Sequence, residues 1–366
     1  MMKRTLLTAL ALAALLPWGS WAASSGRTLP KKNQGGGEIL NLEALPKLNI
    51  VYLVPKGVDP LPDYRKRLGR ILAEIRDFYN RELARHGSPA ALRMPIDPKT
   101  GLVALTEVRG SKPHTAYPYK EGWKPAIEDV EAFYRAHPEK KYSDLTLVII
   151  PSGFGTGVPF YGLGNYCFAL DYKGFDFKDC GKNTPEGKKF KPWYGGMAHE
   201  LGHGLGLPHT HTTRSQQKLF GTALMGAGNR TLGFTPTCLT PGCCAILESC
   251  PVCRVFIPRP CVLVNTLDLT ETVGGRSVRI RGTLPPGCTV RRIVAAYDKD
   301  VFGDVNDNYD AESFVVPFDR FGHFDFLFPL TEIFPGKTEA FQIQLRLVHE
   351  DGTIELIRRT IREMEK

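Results

Sequence analysis

Eleven residues, His199 to His209, reading HELGHGLGLPH, constrain this 366-residue chain more than any other stretch. His199 and His203 stand four apart, so on an α-helix their imidazoles project to one side at a separation that one metal ion bridges. His209 comes six residues after His203, where a continuing helix would aim it elsewhere, so the helix must stop first. Gly206 is free to take the positive φ that ends a helix, and Pro208 discourages its resumption. The chain can then return His209 to the other two. Three imidazoles with a fourth position left to water form the donor set of hydrolytic Zn²⁺. Glu200, beside the first histidine yet rotated about 100° from it, has the place of a general base rather than of a fourth ligand. Met197, Leu201 and Leu205 recur every four residues on the opposite side, so one face of this helix seeks a core and the other a cleft.

These residues fit HExxHxxGxxH at every fixed position, and on that motif the chain resembles the metzincin metallopeptidases. Metzincins place a methionine in a tight turn beneath the metal. Here TALMGAGN puts Met225 sixteen residues after His209, among Gly226, Gly228 and Asn229, which tolerate unusual backbone angles. The resemblance implies an α+β catalytic domain: a twisted mixed sheet and long helices above the cleft, then an irregular lower subdomain with a final helix. It also implies a protein or peptide substrate lying extended along the sheet edge, within 160–171 of this chain. The reaction implied is that of a secreted zinc endopeptidase, with a zinc-activated water and Glu200 as general base. Two departures leave the subfamily unassigned. Ala227 stands two residues after the methionine, where some metzincin families have a zinc-contacting tyrosine, and Thr210 follows the third histidine in place of better-known residues.

Chemistry alone equally permits hydrolysis of another amide. A metal-dependent amidase acting on cell-wall peptides is therefore one alternative, and a surface- or glycan-binding protein working through its C-terminal part is another.

Residues 1–22 read as a secretory signal: Lys3 and Arg4, an apolar run from Leu6 to Trp18, and a cut after Ala22. A secreted or periplasmic location follows. The run is too short for a membrane span, and no later segment offers about twenty apolar residues. Loss of Lys3 and Arg4 lowers the formal charge from +9 by two, to +7. The charge is dispersed apart from a cluster at 182–191, and with no nucleic-acid motif the expectation is a monomer without a nucleic-acid partner. Nine cysteines in an exported chain predict disulfides, with at least one cysteine free or intermolecular; the pairings stay open, a loop stapled by Cys167 and Cys180 being the suggested alternative to a substrate-binding edge within 160–171. Cys250 and Cys253 have metal-ligand spacing, but export favours disulfides there too. None precedes Cys167, which argues against latency through a propeptide thiol.

After a leader at 23–46, a metzincin-like domain is expected over 47–255. LNIVYLV, 48–54, reads as a strand, and Tyr64, Leu68, Ile71, Leu72, Ile75, Phe78, Tyr79 and Leu83 form one stripe of a long helix stopped near Gly87. Strands are expected at 102–108 and 145–150, with a helix over 125–134 between them. Thr240 as N-cap and Pro241 at N1 open a last helix to about Cys250. Over 256–366 short alternating segments, among them SVRIRGTL, RRIVAAYD and HFDFLFPL, predict a small all-β sandwich, with Asp351 and Gly352 as a hairpin turn. Within it DKDVFGDVNDNYD offers Asp298, Asp300, Asp304 and Asp310 as a candidate Ca²⁺ loop, although its spacing is not that of an EF-hand.

Overall fold

The computed structural model describes residues 45–153, 159–264, 267–274, 277–299, 309, 311–334 and 340–362. The signal segment 1–22 and most of the leader lie outside the described residues, as do Asp300, Asp304 and Asp310. No helix among the described residues is long and apolar enough to cross a membrane.

The first strand, β1 (Asn49–Lys56), is buried along nearly its whole length because it has cover on both faces. Its alternate residues divide accordingly. Ile50, Tyr52 and Val54 join the core built with helix α1 (Tyr64–Arg85), while Val51 and Leu53 join a second core on the other face. The apolar stripe of α1 is buried from Tyr64 to Leu83, and Gly87, at φ +70°, turns the chain away past its end. Strand β2 (Thr106–Pro113) starts later than the sequence pattern suggests. Residues just before it are used otherwise: Val103 bridges Ile96 and donates its N–H to Gly69 of α1, so pairing with β1 begins at Thr106. Helix α2 (Trp123–Ala136) covers the second face through Ala126, Val130 and Tyr134. Strands β3 (Thr146–Pro151), β4 (Gly162–Leu163) and β5 (Tyr166–Asp171) complete a five-stranded sheet in the order β2-β1-β3-β5-β4. All pairs are parallel except β4 with β5, so the short strand β4 is an antiparallel edge. Arg67 of α1 grips Asp171, at the end of β5, through two guanidinium nitrogens (2.9 and 3.0 Å), and the Tyr52 hydroxyl donates to the same carboxylate.

Helix α3 (Pro185–Gly204) packs on the α1 side of this sheet. Below it come α4 (Arg214–Phe220), the paired short strands β6 (Thr222–Ala223) and β7 (Thr237–Cys238), and α5 (Pro241–Leu247). The Thr240 hydroxyl caps α5 by accepting from the Cys243 N–H. The helix ends at Leu247 rather than Cys250, because the chain bends there through turns closed by Cys250 N–H to Leu247 O and Cys253 N–H to Cys250 O.

Seven strands follow: β8 (Asp268–Gly274), β9 (Ser277–Thr283), β10 (Val290–Asp298), β11 (Glu312–Val316), β12 (His323–Pro329), β13 (Ala340–His349) and β14 (Ile354–Arg362). They form two antiparallel sheets, β11-β10-β13-β14 and β12-β9-β8, around a shared core that includes Ile280, Ile293, Phe328 and Leu345. Gly352, at φ +99°, makes the tight turn between β13 and β14. The second face of the larger sheet is not left to water. Val294 and Val348 on that face belong to the core cluster of α1, α3 and α5, so apolar packing runs unbroken from one half of the chain to the other.

The expected disulfides are not formed: all nine cysteines are free thiols. Several sulfurs are directed at a backbone carbonyl instead of at one another. Cys167 points to Thr146 O, Cys180 to Gly233 O, Cys238 to Gly221 O and Cys244 to Glu82 O. Cys167 is also wedged against Gly204, so the suggested pairing with Cys180 would need the two to leave separate packing niches.

Candidate metal centre and active site

Helix α3 opens with Thr184, whose hydroxyl accepts from Gly187 N–H, and it carries His199, Glu200 and His203 in its final two turns. Beyond its C-cap, Leu205, Gly206 has φ +89°, and the Leu207 N–H reaches back to Gly202 O at 2.9 Å. This closes the helix end and reverses the chain. The same turn aims the Leu207 carbonyl at Nδ1 of His203, 2.9 Å away.

The outcome is a convergence of three rings. Nε2 of His203 lies 3.1 Å from Nε2 of His199 and 2.9 Å from Nε2 of His209. Among the described residues these three form the cluster of potential metal ligands, with donor atoms all within 4.8 Å of one another. Their chemistry suits a cation. His199 has Nδ1 2.7 Å from the Leu224 carbonyl and His203 has Nδ1 against Leu207 O, so both rings carry their proton on Nδ1. Their Nε2 atoms are then bare lone pairs facing each other, an arrangement that repels unless a positive ion stands between them. Burial, the largest influence, holds the His199 imidazole down at about 4 and lowers that of His203, so protons do not compete for these nitrogens near neutrality. Three neutral imidazoles are the ligand set of a catalytic zinc.

Met225, fully buried, packs against the helix that carries two of these imidazoles. A Cβ on Gly202 would come within 2.3 Å of its sulfur, so the glycine between the two helix-borne histidines is what admits the methionine. Its turn is tied in on both sides: Leu224 O takes the His199 proton, and Met225 O accepts from Thr210 N–H at 3.1 Å. Tyr79 comes to the same side of α3, where its hydroxyl lies by Gly202 and donates to Ala198 O at 2.8 Å, next to His199.

Glu200 faces the sheet edge. Its carboxyl is pushed up to about 7 by burial, while a hydrogen bond from the Gly162 backbone works the other way. Gly162 belongs to β4, and a Cβ there would sit 2.4 Å from Cβ of His203. The edge strand therefore lies against the helix at the cluster. Tyr161, just before it, packs edge-on against the exposed Tyr119, with 5.6 Å between ring centroids.

The remaining sequence candidates lie elsewhere. His211 turns to Phe334 and bonds through Nδ1 to Thr212 O. Asp298, the one expected Ca²⁺ ligand among the described residues, is buried at the end of β10 and accepts from Gln344 at 3.0 Å, on the face of the larger sheet that also carries Val294 and Val348. One neighbour of the cluster escaped the sequence reading altogether. Tyr309, from the connection between β10 and β11, stacks on His209 with ring centroids 3.7 Å apart. Nothing in the sequence around a tyrosine one hundred residues beyond His209 signals that contact.

A mixed sheet over a long helix, three imidazoles at that helix's end and an attached β-sandwich define an α+β protein with a candidate metal centre. Comparison with solved structures makes the assignment particular. Wild-type OgpA from Akkermansia muciniphila is 37% identical, with a TM-score of 0.81 over 87% of this chain and 94% of that one. A second crystal form of it is 36% identical, with a TM-score of 0.79, covering 87% and 92%. A catalytically inactive OgpA in complex with an O-glycopeptide substrate, glycodrosocin, is 35% identical, with a TM-score of 0.79, covering 87% and 93%. The chain belongs to the OgpA family. No family model matches the sequence, and no curated protein matches it.

Proposed function

We propose that this protein is an exported zinc endopeptidase that hydrolyses peptide bonds in O-glycosylated peptides. The observation that carries the reading is the meeting of three imidazoles, with Nε2 of His203 3.1 Å from that of His199 and 2.9 Å from that of His209, while backbone carbonyls engage Nδ1 of His199 and His203. His199, His203 and His209 would hold the ion, which when bound lends Lewis acidity to a carbonyl and to a water molecule.

The other roles fall to residues around them. Strand β4 is an edge, so an extended peptide can pair along it and pass the cluster at Gly162. Glu200, half-buried and with its carboxyl raised to about 7, takes a proton from the attacking water as the new C–O bond forms. It returns that proton to the amine nitrogen as the C–N bond breaks. Tyr119 and Tyr161 beside β4 offer aromatic surface against which a sugar ring can lie. The O-glycopeptide bound by an OgpA relative supports this substrate class.

The test is a digest of one peptide with and without an O-linked glycan, read by mass spectrometry. The glycosylated form should be cut and the bare form spared, with a chelator abolishing cleavage and added Zn²⁺ restoring it. Equal cleavage of both forms would remove the glycan from the account, and cleavage of neither would remove the peptidase.

A further inference from the structure

His209 differs from its two companions in how it is held. His199 and His203 ride on α3, whereas His209 lies beyond the helix, past the Gly206 turn. The segment after it is fastened to the sandwich. His211 N–H donates to Ala311 O at 2.7 Å, the Thr210 hydroxyl donates to the same carbonyl at 2.9 Å, and it lies 3.2 Å from the Ser313 hydroxyl. Residue 211 pairs with residue 312 as an isolated parallel bridge. Two residues before Ala311 the same connection carries Tyr309. Its ring lies over that of His209 at 3.7 Å, with 22° between the planes, and is within 10° of parallel to that of His199 at 6.3 Å.

We propose that Tyr309 is a positioning residue of the metal centre: its stacked ring, delivered by the β-sandwich, sets the plane of His209 so that Nε2 of that ring meets those of His199 and His203. An imidazole rotates freely about its Cα–Cβ and Cβ–Cγ bonds unless something fixes it, and ligand rings are ordinarily fixed by groups outside the metal's own shell. For His199 and His203 those groups are backbone carbonyls. Over His209 the near-parallel ring of Tyr309 is a restraint of another kind, which blocks rotation of the imidazole out of the ligand plane. The β-sandwich is thereby part of the centre, since it supplies both the ring over His209 and the one backbone carbonyl, that of Ala311, which accepts from the two residues after it.

The inference rests on reading the three histidines as a metal site, and the experiment separates the two. Full-length native protein, Tyr309→Ala and Tyr309→Phe are compared for zinc affinity by chelator competition and, after Co²⁺ substitution, by visible absorption. Tyr309 is 43% exposed, so the alanine variant should fold, and equal melting temperatures of the metal-free proteins would verify it. We expect Tyr309→Ala to bind zinc about tenfold more weakly, within the range for loss of a supporting group, and to give an altered Co²⁺ spectrum. Tyr309→Phe, which keeps the stack, should restore both. Native affinity and spectrum in Tyr309→Ala would overturn the proposal alone, and so would a phenylalanine variant as impaired as the alanine one. A native protein that takes up neither ion would overturn the metal reading as well.

Discussion

Nδ1 of His199 lies 2.7 Å from the carbonyl oxygen of Leu224, the residue immediately before Met225. One backbone carbonyl thus couples the helix that bears two of the imidazoles to the turn packed beneath them. It fixes which nitrogen of His199 carries the proton and leaves the other open toward His203. Much of the expected behaviour of this protein follows from how closely those two elements approach.

Gly202 sets that approach. A methyl group there would meet the Met225 sulfur at 2.3 Å and the Tyr79 hydroxyl at 2.9 Å, both in the buried core. Gly202→Ala should therefore destabilise the protein by about 1–3 kcal/mol, the usual cost of overpacking. It should also weaken zinc retention, because the shifted turn carries the Leu224 carbonyl with it. Met225→Leu, close in volume, should cost less than about 1.5 kcal/mol. Thermal melts and chelator competition on both variants check the order.

Acid should weaken the metal-free protein through the histidines. Burial depresses His199 in the folded chain to about 4, below its ordinary value of 6.5, so the folded state resists a proton that the unfolded chain accepts. The stability this contributes is present above pH ~6.5 and is lost as pH falls through that window toward ~4. In the metal-free protein a melting temperature that declines over this window, and declines less in His199→Gln, is the expected result. A pH-independent melt from 7 to 4 would contradict it. Protons should also displace the ion over the same window, since ligand imidazoles bind it only when neutral.

The sandwich should not stand alone. Val294 and Val348 are buried against the core of the other half, and Gly242 of α5 lies so close that a Cβ would meet the Ser313 hydroxyl at 2.7 Å. A fragment of residues 256–366 exposes that apolar face. It should show no cooperative melt near the native temperature, whereas a sharp melt there would make the sandwich an independent module.

What the sequence makes legible depends on whether a signal is local. The helix of His199 and His203, the turn at Gly206 and the stripe of α1 follow from spacing and periodicity, and each is where those rules place it. Strand β8 is not legible locally, because DLTETVG has too few apolar residues to mark a strand; its pairing with β9 is what makes it one. Strand β2 is displaced for a tertiary reason, since Val103 is drawn to Gly69 instead. Export implies an oxidising compartment for the cysteines, yet the fold directs several of their sulfurs to carbonyls. Tyr309 was out of reach because only the docking of the sandwich brings residue 309 to residue 209.

On the proposed function, the three-imidazole cluster with Glu200 beside it performs hydrolysis. The most direct measurement is zinc content combined with an O-glycopeptide digest for native and Glu200→Ala proteins. About one zinc per chain is expected in both, with cleavage by the native protein only and a loss of at least 10²-fold, as for removal of a general base. Undiminished cleavage by a zinc-loaded Glu200→Ala protein, or a native protein that cleaves without holding the metal, would contradict it.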